Sequence, residues 1–246
     1  MSKKIYIDAG HGGVQPGACN GKRKESDDVL RLALMVQELL SEQDCEVRMS
    51  RTKDVDIEIP DRCREANNWG ADYFLSIHRN SASASVTGNE IWIYSKANNY
   101  TVAKAKVILD AVCKVDGLKN RGVKRGAPSY RDYAVNRDTK MHSALLELGF
   151  ISNSNDNKVF DAKFKAIALA IAKSVLSVVG GEFVLKGDVD GDGKITAADA
   201  REALRGAAQL EELTEKEAFA ADMNGDGKVT ANDARDILKT AAGVKT

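Results

Sequence analysis

The chain has 246 residues, and its 36 lysines and arginines balance 36 aspartates and glutamates. This neutrality excludes a strongly basic nucleic-acid-binding protein and a protein dominated by an acidic tail. With 43% hydrophobic and 29% charged residues, the composition is typical of a folded globular protein and excludes disordered and fibrous classes. No apolar run approaches the roughly 18 residues that cross a bilayer, so we expect no membrane span.

The neutral total conceals two regions of opposite charge. Residues 1–184 carry 27 basic and 23 acidic side chains, whereas residues 185–246 carry 9 basic and 13 acidic ones. Gly180-Gly181 interrupts the helical pattern between them, as expected of a boundary. We therefore predict a first domain over residues 1–178, a short linker over 179–184 and a second module over 185–246.

Neither the N-terminus nor the cysteines indicate a secreted, disulfide-bonded protein. Ser2-Lys3-Lys4 leads directly into Ile5 without an apolar segment or a small-residue cleavage site, so we expect no secretory signal. The cysteines are scattered without CxxC spacing. We expect free thiols at Cys19, Cys45, Cys63 and Cys113.

In the first domain, short apolar runs alternate with helical patterns. Stripes with helical spacing begin at Val29 and at Phe164. This alternation predicts an α/β domain with a mostly parallel mixed sheet flanked by helices. The predicted strands are Lys4–Asp8, Glu46–Arg51, Tyr73–His78, Glu90–Tyr94 and Ala144–Leu148.

The second module contains a repeat. DVDGDGKITAADAREAL from Asp188 matches DMNGDGKVTANDARDIL from Asp222 at an offset of 34 residues. EF-hand-type loops supply calcium ligands from positions 1, 3, 5, 7, 9 and 12, and a solvated acidic turn is disfavoured because its carboxylates would repel each other. Two calcium ions are predicted. The first would be held by Asp188, Asp190, Asp192, Lys194 (carbonyl), Thr196 and Asp199, and the second by Asp222, Asn224, Asp226, Lys228 (carbonyl), Thr230 and Asp233.

Aspartate at position 12, and a helix only after each loop, make this module resemble a dockerin, which docks onto cohesin domains. The resemblance covers residues 185–246 and implies a small all-α domain with two EF-hand-like loop-helix repeats. A cohesin or a wall-associated protein is then the expected partner. The implied recognition positions are Ala197, Ala198, Ala231 and Asn232, with Arg205 and Lys239.

Two histidines lie at the ends of apolar strands in the first domain. His11 follows the first strand within a glycine-rich loop, and His78 ends the third. The carboxyl ends of parallel strands share one edge, where ligands bind. Glu25 opens the helix that returns beside the first strand. Two imidazoles and a carboxylate are the ligand set of a hydrolytic zinc, although spacing alone leaves structural histidines open.

Two other residues are less easily assigned from the sequence. Glu147 stands between apolar neighbours in LLELGF, where a raised pKa would suit it to act as a general base. The alternative is an acid at a strand end that faces water. We expect His142, just before this strand, to line a groove or to support the ligands from behind.

The motifs IDAGHGG, SRTKD, SIHRN and LLELGFISN, with Glu25 opening a helix, resemble the zinc-dependent N-acetylmuramoyl-L-alanine amidases of bacterial cell-wall turnover. The resemblance runs through residues 1–178 and implies a phosphorylase/hydrolase-like fold. It also implies that His11, Glu25 and His78 bind one catalytic zinc and that Glu147 is the catalytic glutamate.

Two positions depart from the family pattern. Arg79 stands where a small residue is usual, and His142 stands where proline is frequent. We expect contacts with a stem peptide from Asn80, Arg79, Tyr130 and Tyr133. For the stretch 125–137, which contains the two tyrosines, the alternative is a solvated loop without substrate contacts. Arg62 and Arg64 are expected on an exposed helix face.

The implied reaction is hydrolysis of the amide between N-acetylmuramic acid and the L-alanine of the peptidoglycan stem peptide. A zinc peptidase or carboxypeptidase acting on wall peptides, or a non-catalytic calcium-dependent wall-binding or scaffold protein, is the alternative. We expect a monomer that binds no nucleic acid. It would act at the bacterial cell wall, released by lysis as an endolysin or autolysin, or as an extracellular protein.

Overall fold

The computed structural model describes residues 2–129 and 131–244. The chain divides into two compact units, Met1–Glu182 and Phe183–Thr246. This division falls within the stretch 179–184 that the sequence predicts as a linker. The four cysteines are free thiols. Within the described residues, no helix has the length and apolar character needed to cross a membrane.

The described part of the first unit contains eight strands, six of which form one sheet. They are β1 (Lys3–Ala9), β2 (Cys19–Asn20), β3 (Arg23–Lys24), β4 (Cys45–Met49), β5 (Tyr73–Asn80), β6 (Asn89–Ile93), β7 (Asn120–Arg125) and β8 (His142–Phe150). The sheet order is β4-β1-β5-β8-β6-β7, and β2 pairs only with β3. The strands β4, β1, β5 and β8 are parallel, whereas β6 is antiparallel to β8. The predicted mostly parallel mixed sheet is therefore confirmed.

Helices cover both faces of this sheet. They are α1 (Glu25–Ser41), α2 (Ile59–Trp69), α3 (Asn99–Asp116), α4 (Ala134–Arg137), α5 (Ser154–Ala162) and α6 (Phe164–Val178). The stripe that predicts α1 is its buried face, formed by Val29, Leu32, Val36 and Leu40. Helices α1, α3 and α6 pack on one face of the sheet, and α2 and α4 contribute to a core cluster on the other.

Strand alternation decides which side chains reach the site. Successive residues of a strand point to opposite faces, and the face toward α2 and α4 carries the buried cluster of Tyr6, Phe74, Trp92 and Leu145. Continuing in steps of two, the same face carries Asp8, His78 and Glu147 at the carboxyl edge of β1, β5 and β8. The candidate site residues therefore lie at the end of an apolar layer.

Three strands and three helices in the described part of the first unit were not predicted, namely β2, β3 and β7, and α3, α4 and α5. The hairpin β2–β3 has two residues in each strand, too few to give a pattern. Strand β7 lies at the sheet edge, and its sequence NRGVKR contains no apolar run because none of its side chains is fully buried.

The second unit has three helices in its described part, namely α7 (Ala197–Ala207), α8 (Glu215–Ala221) and α9 (Ala231–Ala241). Thr196 and Thr230 cap α7 and α9, each within a capping box. The predicted all-α module with two loop-helix repeats is confirmed, and α8 is an additional helix between them. The core is small, formed by Val189, Ala200, Ala203, Ala221, Ala234 and Ile237.

Candidate active site and metal centres

Three predicted zinc ligands converge at the carboxyl edge of the sheet. Glu25 Oε1 lies 2.9 Å from His78 Nδ1 and 3.2 Å from His11 Nε2. One candidate ligand atom from each side chain lies within 4.8 Å of the others. The two imidazole rings meet edge to face, with centroids 4.8 Å apart. Residues far apart in sequence thus form one compact cluster.

Glu25 is the buried centre of this cluster. It is the first residue of α1, where the helix dipole favours a negative charge. Its Oε1 accepts a hydrogen bond from the Arg79 amide, and its Oε2 accepts one from the Ala18 amide. Burial alone would raise the Glu25 pKa, but hydrogen bonds and charge from His11 and His78 outweigh burial and hold the pKa well below its usual range.

Two glycines allow the ligands to approach each other. A Cβ atom on Gly10 would come within 2.4 Å of the His78 ring, and one on Gly17 within 2.6 Å of both Glu25 Oε2 and the His11 ring. His11 itself has a left-handed backbone conformation, with φ of 58°, which is uncommon outside glycine. The loop after β1 is therefore packed directly against the ligand side chains.

A cavity of about 430 Å³ opens beside the cluster. His11 and His78 line it together with Tyr133, for which substrate contact stays a prediction. Most of the remaining wall is apolar or acidic, from Ile57, Ile59, Val135, Leu145, Asp56 and Glu58. The cavity provides space for a bound group next to the candidate metal ligands.

Glu147 lies beside His78, with which it pairs in register across β5 and β8. Its side chain is buried, and its Oε2 has no hydrogen-bond partner. Burial, followed by the nearby charges of Glu25 and Glu90, raises the pKa of Glu147 well above the usual value. A carboxylate with an unpaired oxygen and a raised pKa is suited to accept a proton.

Glu90, which the sequence analysis did not single out, pairs with Glu147 across β6 and β8. Its Oε2 accepts hydrogen bonds from Arg121 and Lys124, and its Oε1 accepts them from Trp92 and Asn80. Burial would raise the Glu90 pKa, but these donors lower it. In NEIWI only the residues after Glu90 are apolar, so its sequence signal is weaker than the one that marks Glu147 in LLELGF.

Arg79 does not line the cavity, contrary to the expectation from sequence. Its side chain is buried and hydrogen bonds to Asp28, Leu148 and Asn157. The reason is strand alternation, because His78 points toward the cavity and its neighbour must point to the opposite face.

The other predicted contacts have mixed outcomes. Asn80 is half-buried and bonded to Glu90, and Tyr130 lies outside the described residues. The expectation for Arg62 is wrong, since it is buried and paired with Asp8, whereas Arg64 is exposed. His142 lies at the amino ends of the parallel strands, opposite the candidate site, where its Nδ1 is 2.7 Å from Thr101 Oγ1. It therefore neither lines the cavity at the site nor supports the ligands.

The family profile for N-acetylmuramoyl-L-alanine amidase matches residues 5–177. The chain belongs to this amidase family. The profile of the dockerin type I domain matches residues 186–240, and the second unit is a dockerin. Enzymes of this amidase family are generally zinc-dependent, and dockerins bind calcium.

Named relatives support the family assignment. N-acetylmuramoyl-L-alanine amidase CwlM of Bacillus licheniformis is 37% identical over 62% of this chain and 58% of its own length. The sporulation-specific N-acetylmuramoyl-L-alanine amidase of Bacillus subtilis (strain 168) is 36% identical over 65% of this chain and 62% of its own. The chain thus spans about three fifths of these curated relatives.

A solved structure supports the fold. The catalytic domain of CwlV, an N-acetylmuramoyl-L-alanine amidase from Bacillus (Paenibacillus) polymyxa var. colistinus, superposes with a TM-score of 0.65 at 32% identity. The match covers 71% of this chain and 97% of that domain. The amidase unit therefore has the architecture of a solved amidase catalytic domain.

The amidase ligand cluster fits a zinc ion by its chemistry. Its donors are two imidazole nitrogens and a carboxylate, the set found in hydrolytic zinc sites that keep one position open. The absence of side chains at Gly10 and Gly17 leaves the space that the His78 ring, the His11 ring and the Glu25 carboxylate occupy. Glu147 stands outside the set, with its unpaired oxygen available for another role.

The first dockerin loop also fits a cation. Asp188, Asp190 and Asp192 bring carboxylate oxygens within 4.8 Å of one another, and Asp188 Oδ1 is buried without a partner. Burial raises the Asp188 pKa, and its acidic neighbours raise it further, although a hydrogen bond from the Gly193 amide opposes them. A divalent cation would relieve this repulsion.

The aspartates at position 12 of both loops, besides being predicted calcium ligands, accept hydrogen bonds that connect parts of each loop. Asp199 accepts hydrogen bonds from the Val189, Asp190 and Thr196 amides and from the Thr196 hydroxyl. Asp233 has the same set of contacts in the second loop, with Met223, Asn224 and Thr230. Each therefore joins the start of its loop to the cap of the following helix.

Proposed function

We propose that this chain is a zinc-dependent peptidoglycan hydrolase that cleaves the amide between N-acetylmuramic acid and the L-alanine of the stem peptide. The observation that carries the proposal is the convergence of His11, Glu25 and His78 beside Glu147, with its unpaired buried oxygen, in a member of this amidase family. One zinc ion would be held by the first three residues. When bound, zinc supplies a Lewis acid that polarises a carbonyl and lowers the pKa of water toward about 7.

Glu147 is the general base of the proposed reaction. Its raised pKa lets it take a proton from the attacking water and return it to the nitrogen of the leaving L-alanine. The Glu90 side chain already has four hydrogen bonds, so it is not equivalent as a proton acceptor. The adjoining cavity would accommodate part of the substrate, with Tyr133 in its wall.

We further propose two calcium ions in the dockerin unit, one in each loop at the ligand positions predicted from sequence. A cohesin-type or wall-associated partner would bind this unit, placing the amidase at the bacterial cell wall. Leu204 and Leu238 occupy equivalent positions in α7 and α9, and both are about half exposed, at 49% and 50%. Such apolar side chains suit a docking surface.

The reaction is tested by the products released from purified peptidoglycan. We expect mass spectrometry to detect intact stem peptides with a free L-alanine amino terminus, together with glycan carrying free lactyl carboxylates. Shortened peptides or free terminal amino acids would instead identify a peptidase. Absence of any product from the zinc-loaded chain would leave a binding or scaffold function and refute the amidase assignment.

A further inference from the structure

We infer that Arg79 is a positioning residue that fixes the elements carrying the zinc ligands Glu25 and His78 and the base Glu147 relative to one another. This inference rests on the proposed function for the identity of those ligands. Arg79 is 1% exposed, and a small residue at its position would make none of the side-chain contacts described below.

The Arg79 guanidinium divides its donors among three elements. Nη1 donates to Asp28 Oδ2 in α1 at 2.7 Å, and Nε donates to the Leu148 carbonyl in β8 at 2.9 Å. Nη2 donates to Asn157 Oδ1 in α5 at 2.8 Å. The side chain thus links β5, which carries it, to α1, β8 and α5.

Two of these contacts, and Arg79 itself, lie next to residues of the proposed chemistry. Asp28 is one helical turn beyond Glu25, Leu148 follows Glu147, and Arg79 itself follows His78. The Arg79 amide also donates to Glu25 Oε1 at 3.0 Å. The backbone next to His78 is therefore hydrogen-bonded to the Glu25 carboxylate. The Arg79 side chain connects β5 to α1 and β8 from the opposite face of the sheet.

Arginine is required for this arrangement by its geometry and charge. A guanidinium presents several donors in a fixed plane, whereas a lysine ammonium is a single point charge on a flexible chain. The Phe160 ring lies 4.3 Å from the Arg79 guanidinium carbon. Asp28 compensates the buried charge and is held in turn by Arg23 at 2.6 Å, as a buried ion pair requires.

The test separates positioning from general stability by measuring zinc affinity on the full, calcium-loaded chain. Zinc dissociation constants are obtained by competition with a chromophoric chelator for wild type, Arg79→Lys and Arg31→Ala, and circular dichroism checks folding. Arg31 is the control because, like Arg79, it pairs with an aspartate (Asp161) and lies over a phenylalanine ring (Phe164), yet its Nη2 is 3.9 Å from Asp28 Oδ1 and its side chain is 57% exposed.

We expect Arg79→Lys to weaken zinc binding about 10- to 100-fold, the usual effect of losing a group that orients a ligand, while Arg31→Ala stays within about twofold of wild type. A folded Arg79→Lys protein with wild-type zinc affinity overturns the inference. If Arg79→Lys does not fold, Asp28→Asn replaces it, because this change removes the charge that Arg79 Nη1 contacts beside Glu25 and keeps the shape of the side chain. Unchanged affinity in that variant then overturns the inference.

The measurement needs no peptidoglycan, so it is independent of the amidase assay. A wild-type chain that binds zinc but releases no product refutes the proposed activity and leaves the Arg79 result valid. A wild-type chain that binds zinc no better than His11→Ala overturns both.

Discussion

At the scale of single residues, the carboxylates around the active site are distinguished by their partners. Glu25 and Glu90 are surrounded by donors that hold their pKa values low. Glu147 has a buried oxygen without a partner and a raised pKa. Environment therefore distinguishes the proposed zinc ligand from the proposed proton acceptor among side chains of identical chemistry.

Replacement of Glu147 by glutamine tests its role as general base. We expect Glu147→Gln to bind zinc normally but to lose about 10²- to 10⁴-fold in kcat, the usual contribution of general acid–base catalysis. Product release from peptidoglycan and chelator competition measure the two quantities. His11→Ala is the contrasting variant, since it should lose zinc binding and activity together; near-wild-type turnover in Glu147→Gln would refute the role.

The same substitution should stabilise the metal-free protein at neutral pH. Because folding raises the Glu147 pKa, ionisation of this group costs no stability below the unfolded pKa of about 4.3, and the cost grows as pH rises from there toward the folded pKa. Each unit of difference is worth about 1.4 kcal/mol. Urea unfolding of zinc-free protein between pH 4 and pH 8 should therefore show Glu147→Gln gaining on wild type as pH rises. A constant difference across this range would contradict the raised pKa.

At the scale of elements, strands account both for what could be predicted from sequence and for what could not. Apolar runs ending in His11 and His78 predicted the shared edge because parallel strands align their carboxyl ends. Arg79, the residue after His78, was predicted on the wrong face of the sheet, although the alternation of side chains along a strand places it on the face opposite His78. The positions of Arg62 and His142 could be assigned only from the tertiary structure. A local pattern shows neither that Arg62 pairs with Asp8 nor that His142 lies at the amino end of β8, away from the site.

Helix α8 offers a test of local stabilisation away from the calcium loops. The Thr214 hydroxyl accepts a hydrogen bond from the Glu217 amide, and the Glu217 carboxylate accepts one from the Thr214 amide, which forms a capping box. Thr214→Ala should lower the unfolding free energy of the dockerin by about 1 kcal/mol, and Thr214→Ser should restore it. Thr240→Ala, which removes only a bond to the Asp236 carbonyl, is the control. Equal stability of Thr214→Ala and wild type in urea would contradict the cap.

At the scale of the whole molecule, the chain consists of two units with separate cores and separate candidate metal sites. The amidase core is built from a six-stranded sheet and its helices. The dockerin core is small and alanine-rich, so ion binding should supply much of its folding free energy.

The two metals should therefore stabilise different units. In calorimetry of the metal-stripped chain, we expect calcium to restore or raise only the transition of residues 183–246, and zinc to raise only that of residues 1–182. At a metal concentration 100 times the dissociation constant, the stabilisation is about 2.7 kcal/mol. Asp188→Asn should reduce the calcium response and His11→Ala should remove the zinc response. A calcium-insensitive dockerin transition would refute the proposed calcium sites.

The glycine contacts around the ligand cluster have a consequence for how this sequence tolerates mutation. Gly10 and Gly17 carry no chemistry, yet a single methyl group on either would overlap His78, Glu25 or His11. In a complete substitution library scored by hydrolysis, both positions should be as intolerant as the ligands themselves. More positions are thus required for activity than those that contact metal or substrate. The additional ones are glycines, whose missing side chains leave the volume that His11, Glu25 and His78 fill.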